Sequence, residues 1–466
     1  MTIKQSQTKH PKFIYQSFDW EIKKDQVECS FKFLLEPNIL FEPKLRISGL
    51  ERKTLLQINH DTIDGLVFHL GLMEIPSYWK ATLSPIIAVK AGHLNKKQIT
   101  WWRNLLMEGL GEFFFRNKID PSELKFKFKI ESTNSYIPFQ KEKLDNDKVL
   151  LPLGGGKDSL VSLEVLSASW RTKLQHQIIP FALNPTQATL DILKINNKLK
   201  PVIAKRKIDP KLLELNKQGY FNGHTPFSAY LAFLTTLVAT LQGIKNVAVS
   251  NEKSADEATV EIKSKKYNHQ YSKTTNFENK FKTYQKSYLV SNLEYFSFLR
   301  PLYEIQIGKL FSDLGEKYFS AFRSCNKGQK KNIWCHDCPK CLFAFLITFP
   351  FVDEKVLSKK IFNKNIFSKR SLLDDAFKLV EAKKTKPWEC VGTKEESILA
   401  FYLSIKKYQD NNKKLPLILK EIDKKILSKE KNLEKRSKKI LKSWNKKHNL
   451  PEIFERILRK SYEQNN

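Results

Sequence analysis

Residues Val149 to Ser159 read Val-Leu-Leu-Pro-Leu-Gly-Gly-Gly-Lys-Asp-Ser, and the types and order of these side chains describe an anion site. A short apolar strand, Lys148 to Leu153, runs into Gly154, Gly155 and Gly156, then into Lys157, Asp158 and Ser159 at the start of an amphipathic helix. Adjacent glycines let a backbone turn sharply and come close to a ligand. The helix that follows aims its first N–H groups and the positive end of its dipole into that turn. With Lys157 beside it, a phosphate is the expected occupant. Two common phosphate motifs are excluded by spacing. The Gly156-Lys157 pair is followed by Asp158, where the Walker A loop needs Ser or Thr, and the dinucleotide fingerprint lacks its third glycine, because Ser159 stands there. The bland alternative is a glycine-rich strand–helix turn with no ligand.

A second set of residues carries metal chemistry. Cys325 is followed by Cys335, Cys338 and Cys341, the last three in two consecutive C-x-x-C steps. Four thiolates this close suit a tetrahedral, all-cysteine zinc site with no open coordination position, which makes the site structural. Tight runs of this kind also hold iron–sulfur clusters, so zinc is the expected ion and a cluster the alternative. His336 lies inside the run and is not needed as a ligand.

Three further side chains could move protons. His224 follows Asn222-Gly223 ahead of an apolar helix, and could be a base or a capping residue. His269 lies in the polar segment Tyr267 to Lys273, where a substrate-contacting loop is expected. Cys390, in Trp388-Glu389-Cys390-Val391-Gly392-Thr393, stands outside the metal set and could be a working thiol or a small buried hydrophobe. Cys29 reads as core.

These residues need elements to hold them. The 466 residues are enough for two or three domains, and 41% hydrophobic content with 12% aromatics excludes a disordered chain. Residues 1–140 read as an α+β domain, with alternation from Phe13 to Phe33 and a helix from Lys97 to Phe115 that sets Trp101, Leu105, Leu106 and Leu110 on one side. In residues 145–350 strands are expected at Lys148–Leu153, Ile178–Leu183, Pro201–Lys205 and Asn246–Ser250, with a buried helix from Pro226 to Gln242. Pro226 and Gly243 suit the two ends of that helix. Alternating strands and helices predict a parallel, doubly wound sheet. Ligands in such sheets bind beyond the carboxyl ends of strands, which puts Gly154–Ser159 and Asn251-Glu252-Lys253-Ser254 on one rim. Residues 355–466 read as a helical, lysine-rich region.

Composition narrows the partners. A net charge of +32 would suit a nucleic-acid binder, but the excess is mostly lysine and spread along the chain, whereas base-reading proteins favour arginine. A general drift toward lysine and an anionic substrate both account for it. Nucleic acid is therefore not the expected partner, though the charge leaves it open. The lysines of residues 406–447 read as solvated helix faces. No charged-then-apolar leader opens the chain, and the apolar run Ala229 to Leu241 is too short to span a bilayer, so a cytoplasmic protein with no membrane partner is expected. Six cysteines, four of them clustered, argue for a metal site rather than a disulfide framework.

The glycine run resembles the pyrophosphate loop of ATP pyrophosphatases, usually Ser-Gly-Gly-x-Asp-Ser, with Gly154 in place of the leading serine. The resemblance implies an adenine nucleotide alpha hydrolase type of fold. The loop and the cysteine array are together similar to 7-cyano-7-deazaguanine synthase. The wider combination of GGGKDS, FNGHTPFSAYLAFL, SNEKSA, YNHQYSK, the Arg300-Pro301-Leu302 step, WCHDCPKC and PWECVGT, with SYWKA and GLGEFFF nearer the start, resembles the UDP-N-acetylmuramoyl-L-alanyl-L-glutamate epimerases over roughly residues 10–400.

That resemblance implies an enzyme that turns the terminal L-glutamate of a UDP-muramoyl dipeptide into D-glutamate through a carboxyl-adenylate, releasing AMP and diphosphate. It implies ATP, Mg²⁺ and the dipeptide as ligands. Gly154, Gly155, Gly156 and Ser159 would cradle the diphosphate and Lys157 would add positive charge there. Asp158 would bind Mg²⁺, Asn251 and Glu252 would be nucleotide-binding residues, and Glu252 and Lys253 would face the nucleotide or the activated carboxylate. His224, His269 and Cys390 are then the base candidates, and Cys325, Cys335, Cys338 and Cys341 the zinc ligands. Two other readings stand beside it: a transfer-RNA or nucleoside modifying ATP pyrophosphatase, and a non-catalytic zinc-bearing nucleotide-binding module.

Overall fold

Alternation builds the first part of the chain. In the strand Gln26–Leu35 every second residue, Val27, Cys29, Phe31, Phe33 and Leu35, is buried. This is the two-residue period of a strand with one face on a core. Its partner Lys12–Lys23 sends Phe13 and Tyr15 to the same core, where their rings lie 5.5 and 4.9 Å from that of Phe33. Cys29 is core as expected, and burial pushes its thiol up to about 12.

The structure, a computed structural model, describes residues 2–139, 144–170, 177–262 and 265–464. The expected break between 140 and 145 lies in part outside the described residues. The chain is mixed α/β, with a large central sheet and a helical C-terminal region. It forms two compact units, each made of three separate segments.

The first unit comprises Met1–Leu150, Lys200–Val247 and Tyr271–Tyr295. Its strands run in the order Val202–Lys207, Lys44–Ser48, Gln26–Leu35, Lys12–Lys23, Ile86–Val89, Lys127–Ile130. The first three pairings are antiparallel and the last two parallel. Ile244–Val249 pairs in parallel with Asp145–Pro152, with Val247 opposite Leu150. The helix His60–Trp79 is buried on nearly all sides and packs against Phe227–Leu241, the apolar helix expected from the sequence. Gly243 ends the latter at φ +64°, a conformation open to glycine without strain. The expected helix Lys97–Phe115 is instead two, Lys96–Gly109 and Gly111–Arg116, interrupted at Leu110. Glycine on both sides of Leu110 explains the break, because glycine is a poor helix former.

This unit also buries a cation. Arg206 donates from Nε and Nη2 to the two carboxylate oxygens of Glu74, at 2.8 and 2.5 Å, and from Nη2 to Ser77 Oγ at 2.9 Å. The guanidinium lies 4.4 Å from the ring centre of Tyr230.

The second unit comprises Leu151–Leu199, Ala248–Gln270 and Phe296–Asn466. It holds the carboxyl ends of the strands that carry the candidate chemistry. Leu153 N–H donates to Phe181 O of the strand Gln177–Leu183, and Phe298 N–H donates to Val249 O. Behind these ends the helix Lys157–Trp170 packs against Glu304–Leu314 and Glu452–Gln464. The helices Lys394–Asp410, Leu417–Lys425 and Leu433–Leu441 bury Phe401, Ile418, Ile422 and Ile440, while Lys406, Lys420, Lys424, Lys438 and Lys439 are exposed. The lysine-rich stretch is thus the wet side of amphipathic helices. Among the described residues no helix is long and apolar enough to cross a membrane.

Candidate active site

The glycine bend follows directly from its strand. Of the three glycines, only Gly155 has a left-handed backbone, at φ +82°. A Cβ there would stand 3.2 Å from Ala188 Cβ, whereas one on Gly154 would meet nothing within 4 Å. Gly155 therefore makes the turn, and Gly154 leaves an open approach for a ligand. Lys157 opens the helix, as expected for a backbone whose first N–H groups face the bend. Ser159 Oγ donates to Gly156 O at 3.1 Å, which ties the bend to the first helical turn.

Lys157 and Asp158 meet two further acids. The carboxylates of Asp158, Glu252 and Glu304 each offer an oxygen within 4.8 Å of the others, and Glu252 and Glu304 are 1% exposed. The buried Lys157 ammonium pairs with both Asp158 and Glu304. Burial would lower the pKa of Lys157, but the two carboxylates overturn that and hold it above the ordinary lysine value. Glu304 is pushed up to about 7 by burial, with the Asp158 and Glu252 carboxylates adding to the rise against the opposing pull of Lys157. Three carboxylates thus share the paired Lys157 ammonium and the more distant charge of Lys340. This donor set of hard oxygens fits a divalent cation of the magnesium type.

Neighbouring groups fix these acids. The fully buried Arg300 donates from Nη1 to Glu252 O at 2.6 Å and from Nη2 to Ser297 Oγ at 3.2 Å. Asn251 Nδ2 donates to the same Ser297 hydroxyl at 3.1 Å. Glu304 N–H donates to Ser254 Oγ at 3.1 Å, and the next residue, Ile305, donates its N–H to the buried Glu396. Glu396 also accepts from Thr393 N and Oγ1, both at 2.8 Å.

The four cysteines form a second cluster, their sulfurs all within 4.8 Å of one another. Backbone N–H groups point at them: Gly328 to Cys325 Sγ at 3.1 Å, Asp337 to Cys335 Sγ and Cys341 to Cys338 Sγ at 3.4 Å. N–H donors stabilise thiolates. A hydrogen bond with the Cys341 thiol brings Cys338 down to about 5. A Cβ on Gly328 would stand 2.0 Å from Ile333 O, so only glycine closes this knuckle. His336 Nε2 pairs with Phe362 O, away from the sulfurs. Four soft donors in this arrangement fit a metal ion.

The structure brings Lys157, Asp158, Asn251 and Glu252 together with the bend in the second unit. His269 lies in the same unit, its N–H donating to Thr259 Oγ1 at 3.0 Å. The Cys390 carbonyl accepts from Lys340, and Glu389 accepts from Asn326. Burial raises the pKa of Glu389. His224 belongs to the first unit, where its Nδ1 lies 3.9 Å from Glu112 and the preceding Gly223 carbonyl accepts from Lys80. Sequence reasoning missed Glu304 and Glu396, and it quoted Arg300 only within the Arg300-Pro301-Leu302 step without giving it a role. Its one available signal was Glu304 opening an apolar helix just beyond the Arg300-Pro301-Leu302 step.

The class is a mixed α/β protein that carries a strand–glycine bend–helix unit, an acidic cluster and a four-thiol cluster. Comparison with known proteins makes this specific. Residues 4–298 match the MurL N-terminal domain and residues 321–437 the MurL C-terminal domain. The chain belongs to the MurL family. It is 33% identical over 348 residues to a UDP-N-acetyl-alpha-D-muramoyl-L-alanyl-L-glutamate epimerase of Xanthomonas oryzae pv. oryzae, covering 70% of this chain and 72% of the relative. Proteins of the same name from Micromonospora sp. and Salinispora tropica are 32% and 31% identical, covering 74% and 70% of this chain and 76% and 70% of their own. No solved structure matches. Neither the RNA-modifying reading nor the non-catalytic one is favoured by these matches.

Proposed function

We propose that this chain epimerises the terminal L-glutamate of UDP-N-acetylmuramoyl-L-alanyl-L-glutamate, using ATP, in the cytoplasmic synthesis of cell-wall precursors. The observation that carries this reading is the union of the Gly154–Ser159 bend with the buried acids Asp158, Glu252 and Glu304, in a chain so similar to epimerases of that name. On this reading the strand, bend and helix form the core of a pyrophosphate-loop fold, and residues 1–140 bind substrate.

The chemistry answers a physical difficulty. Removing the α-proton of a carboxylate would place a second negative charge beside the first. The substrate carboxylate oxygen therefore attacks the α-phosphorus of ATP, diphosphate leaves, and the resulting mixed anhydride carries no carboxylate charge. A base then takes the α-proton, a proton returns to the opposite face, and water cleaves the anhydride to D-glutamate and AMP. The N–H groups of Gly154 to Gly156 and the first helical turn, with Ser159, hold the departing diphosphate. Lys157 keeps two of the acids in place, and Asn251 and Glu252 face the nucleotide. His269 and Cys390 are base candidates in the unit that carries the bend, and His224 is the third. Asp158, Glu252 and Glu304 would hold a magnesium ion, which would neutralise the leaving diphosphate, and Cys325, Cys335, Cys338 and Cys341 would hold a zinc ion as a structural crosslink.

The test is incubation with ATP, Mg²⁺ and the UDP-muramoyl dipeptide ending in L-glutamate. The expected result is diphosphate release that requires the dipeptide, with D-glutamate in the product. Release only with RNA, or none at all, would overturn the reading.

A further inference from the structure

We propose that Arg323 binds the polyphosphate of the nucleotide held at the glycine bend. The inference deepens the functional reading above and rests on it.

Arg323 is far from Ser159 in the chain, yet its backbone runs along the bend. Its backbone N–H donates to Gly155 O at 3.1 Å, the carbonyl of the one glycine in a left-handed conformation. Ser324 follows on the same edge, its Cβ 3.8 Å from where a Cβ on Gly156 would stand. The main chain of residues 323–324 is therefore a wall of the cradle.

The side chain is underused. A guanidinium has five N–H donors and no acceptor. Here Nη1 donates to the neighbouring Phe322 O at 2.6 Å, and Nε is buried without a hydrogen-bond partner. Among the described residues Arg323 forms no ion pair. The carboxylate of Asp191 is on the helix Gln187–Ile195, whose Ala188 and Thr189 abut Gly155. It accepts from Gln187 Nε2 at 2.8 Å and Asn332 Nδ2 at 3.4 Å, and its charge acts on the Arg323 guanidinium without a hydrogen bond between them. Arg206 is clamped by Glu74, and Arg300, whose Nε also lacks a hydrogen-bond partner, bonds Glu252 O and Ser297 Oγ and lies 3.8 Å from Asp256, whereas Arg323 reaches only a backbone carbonyl. A half-buried guanidinium with an unbonded Nε and no carboxylate in hydrogen-bond contact has donors left for an anionic ligand. Its planar fork matches phosphate oxygens, two at a time. The backbone of the same residue bonds the bend, which is a place built for an anion.

Calorimetric titration of the full-length protein with ATP and Mg²⁺, and separately with AMP, tests the assignment. Arg323→Gln is expected to weaken ATP binding about 10- to 100-fold, the range for a lost charge-assisted hydrogen bond. AMP binding should change less than about twofold, and Arg323→Lys should recover part of the ATP affinity, because charge without the fork is a partial substitute. ATP affinity within about twofold of the parent in Arg323→Gln would overturn the proposal. So would an equal loss for AMP, which would indicate a role in the fold or at the nucleoside end. If Arg323→Gln does not fold, the Arg323→Lys ratio of ATP to AMP affinity decides alone. Failure of the parent protein itself to bind ATP would sink the nucleotide reading, an outcome separate from any difference between variants.

Discussion

Each unit of this protein buries a cation among acids, and the two arrangements differ in their balance. In the first, Arg206 meets one carboxylate, Glu74, and both of its oxygens are used. The charges cancel, Ser77 takes a remaining donor, and Tyr230 covers the face. Nothing further is needed. In the second, Lys157 meets Asp158 and Glu304 with Glu252 beside them and Lys340 acting from further away, so that three carboxylates crowd together without one-to-one pairing. A closed pair of the first kind is a feature of the fold. An open cluster of the second kind asks for another positive charge, and that request is a functional signal.

Breaking the open cluster should have the largest effect. Asp158→Ala is expected to lower dipeptide-dependent diphosphate release about 10,000-fold, on the order of 5 kcal/mol of barrier, with the melting temperature close to that of the parent. Full activity in this variant would remove the nucleotide assignment. Breaking the closed pair should do the reverse. Arg206→Met leaves Glu74 charged and buried, and denaturant titration should report a loss of about 3 to 5 kcal/mol. Removing both charges with Arg206→Met and Glu74→Leu should restore most of that stability. If the double variant is as unstable as the single one, the pair does more than cancel.

The smallest expected effect sharpens the contrast through pH. The first unit also buries His69, which bonds Gly65 O at 2.6 Å, and burial brings it down to about 4 from an ordinary 6.5. The unfolded chain then binds a proton at a pH where the native one does not. The contribution of this group is present above 6.5 and is lost as pH falls toward 4, by up to about 3 kcal/mol. Stability measured between pH 7 and 4 should fall less steeply in His69→Gln. An unchanged slope would mean that His69 is not the group responsible.

Local patterns were legible in the sequence, and long-range meetings were not. Alternation located the strands around Phe13 and Phe33, and Pro226 and Gly243 marked the ends of the buried helix. Gly154 to Ser159 and the four cysteines were visible because their chemistry lies in consecutive or closely spaced residues. Glu304 and Glu396 were not, because isolated glutamates in amphipathic stretches look like solvent-facing positions until the fold buries them. The pairing of Arg206 with Glu74 was equally hidden, since it joins separate segments of a discontinuous unit. The single helix expected from Lys97 to Phe115 failed at Leu110, where apolar periodicity outvoted the two flanking glycines.

The short stretch Glu389 to Thr393 is held at every residue. Asn326, beside Cys325, grips the Glu389 carboxylate, and Lys340, between Cys338 and Cys341, grips the Cys390 carbonyl. Gln270 reaches Val391 O at 3.4 Å. Gly392 lies so close that a Cβ would stand 3.3 Å from Glu304 Cβ, and Thr393 is bonded to Glu396. One five-residue strap therefore touches residues next to the cysteine cluster at one end and residues next to the acidic cluster at the other, so the two clusters share a support.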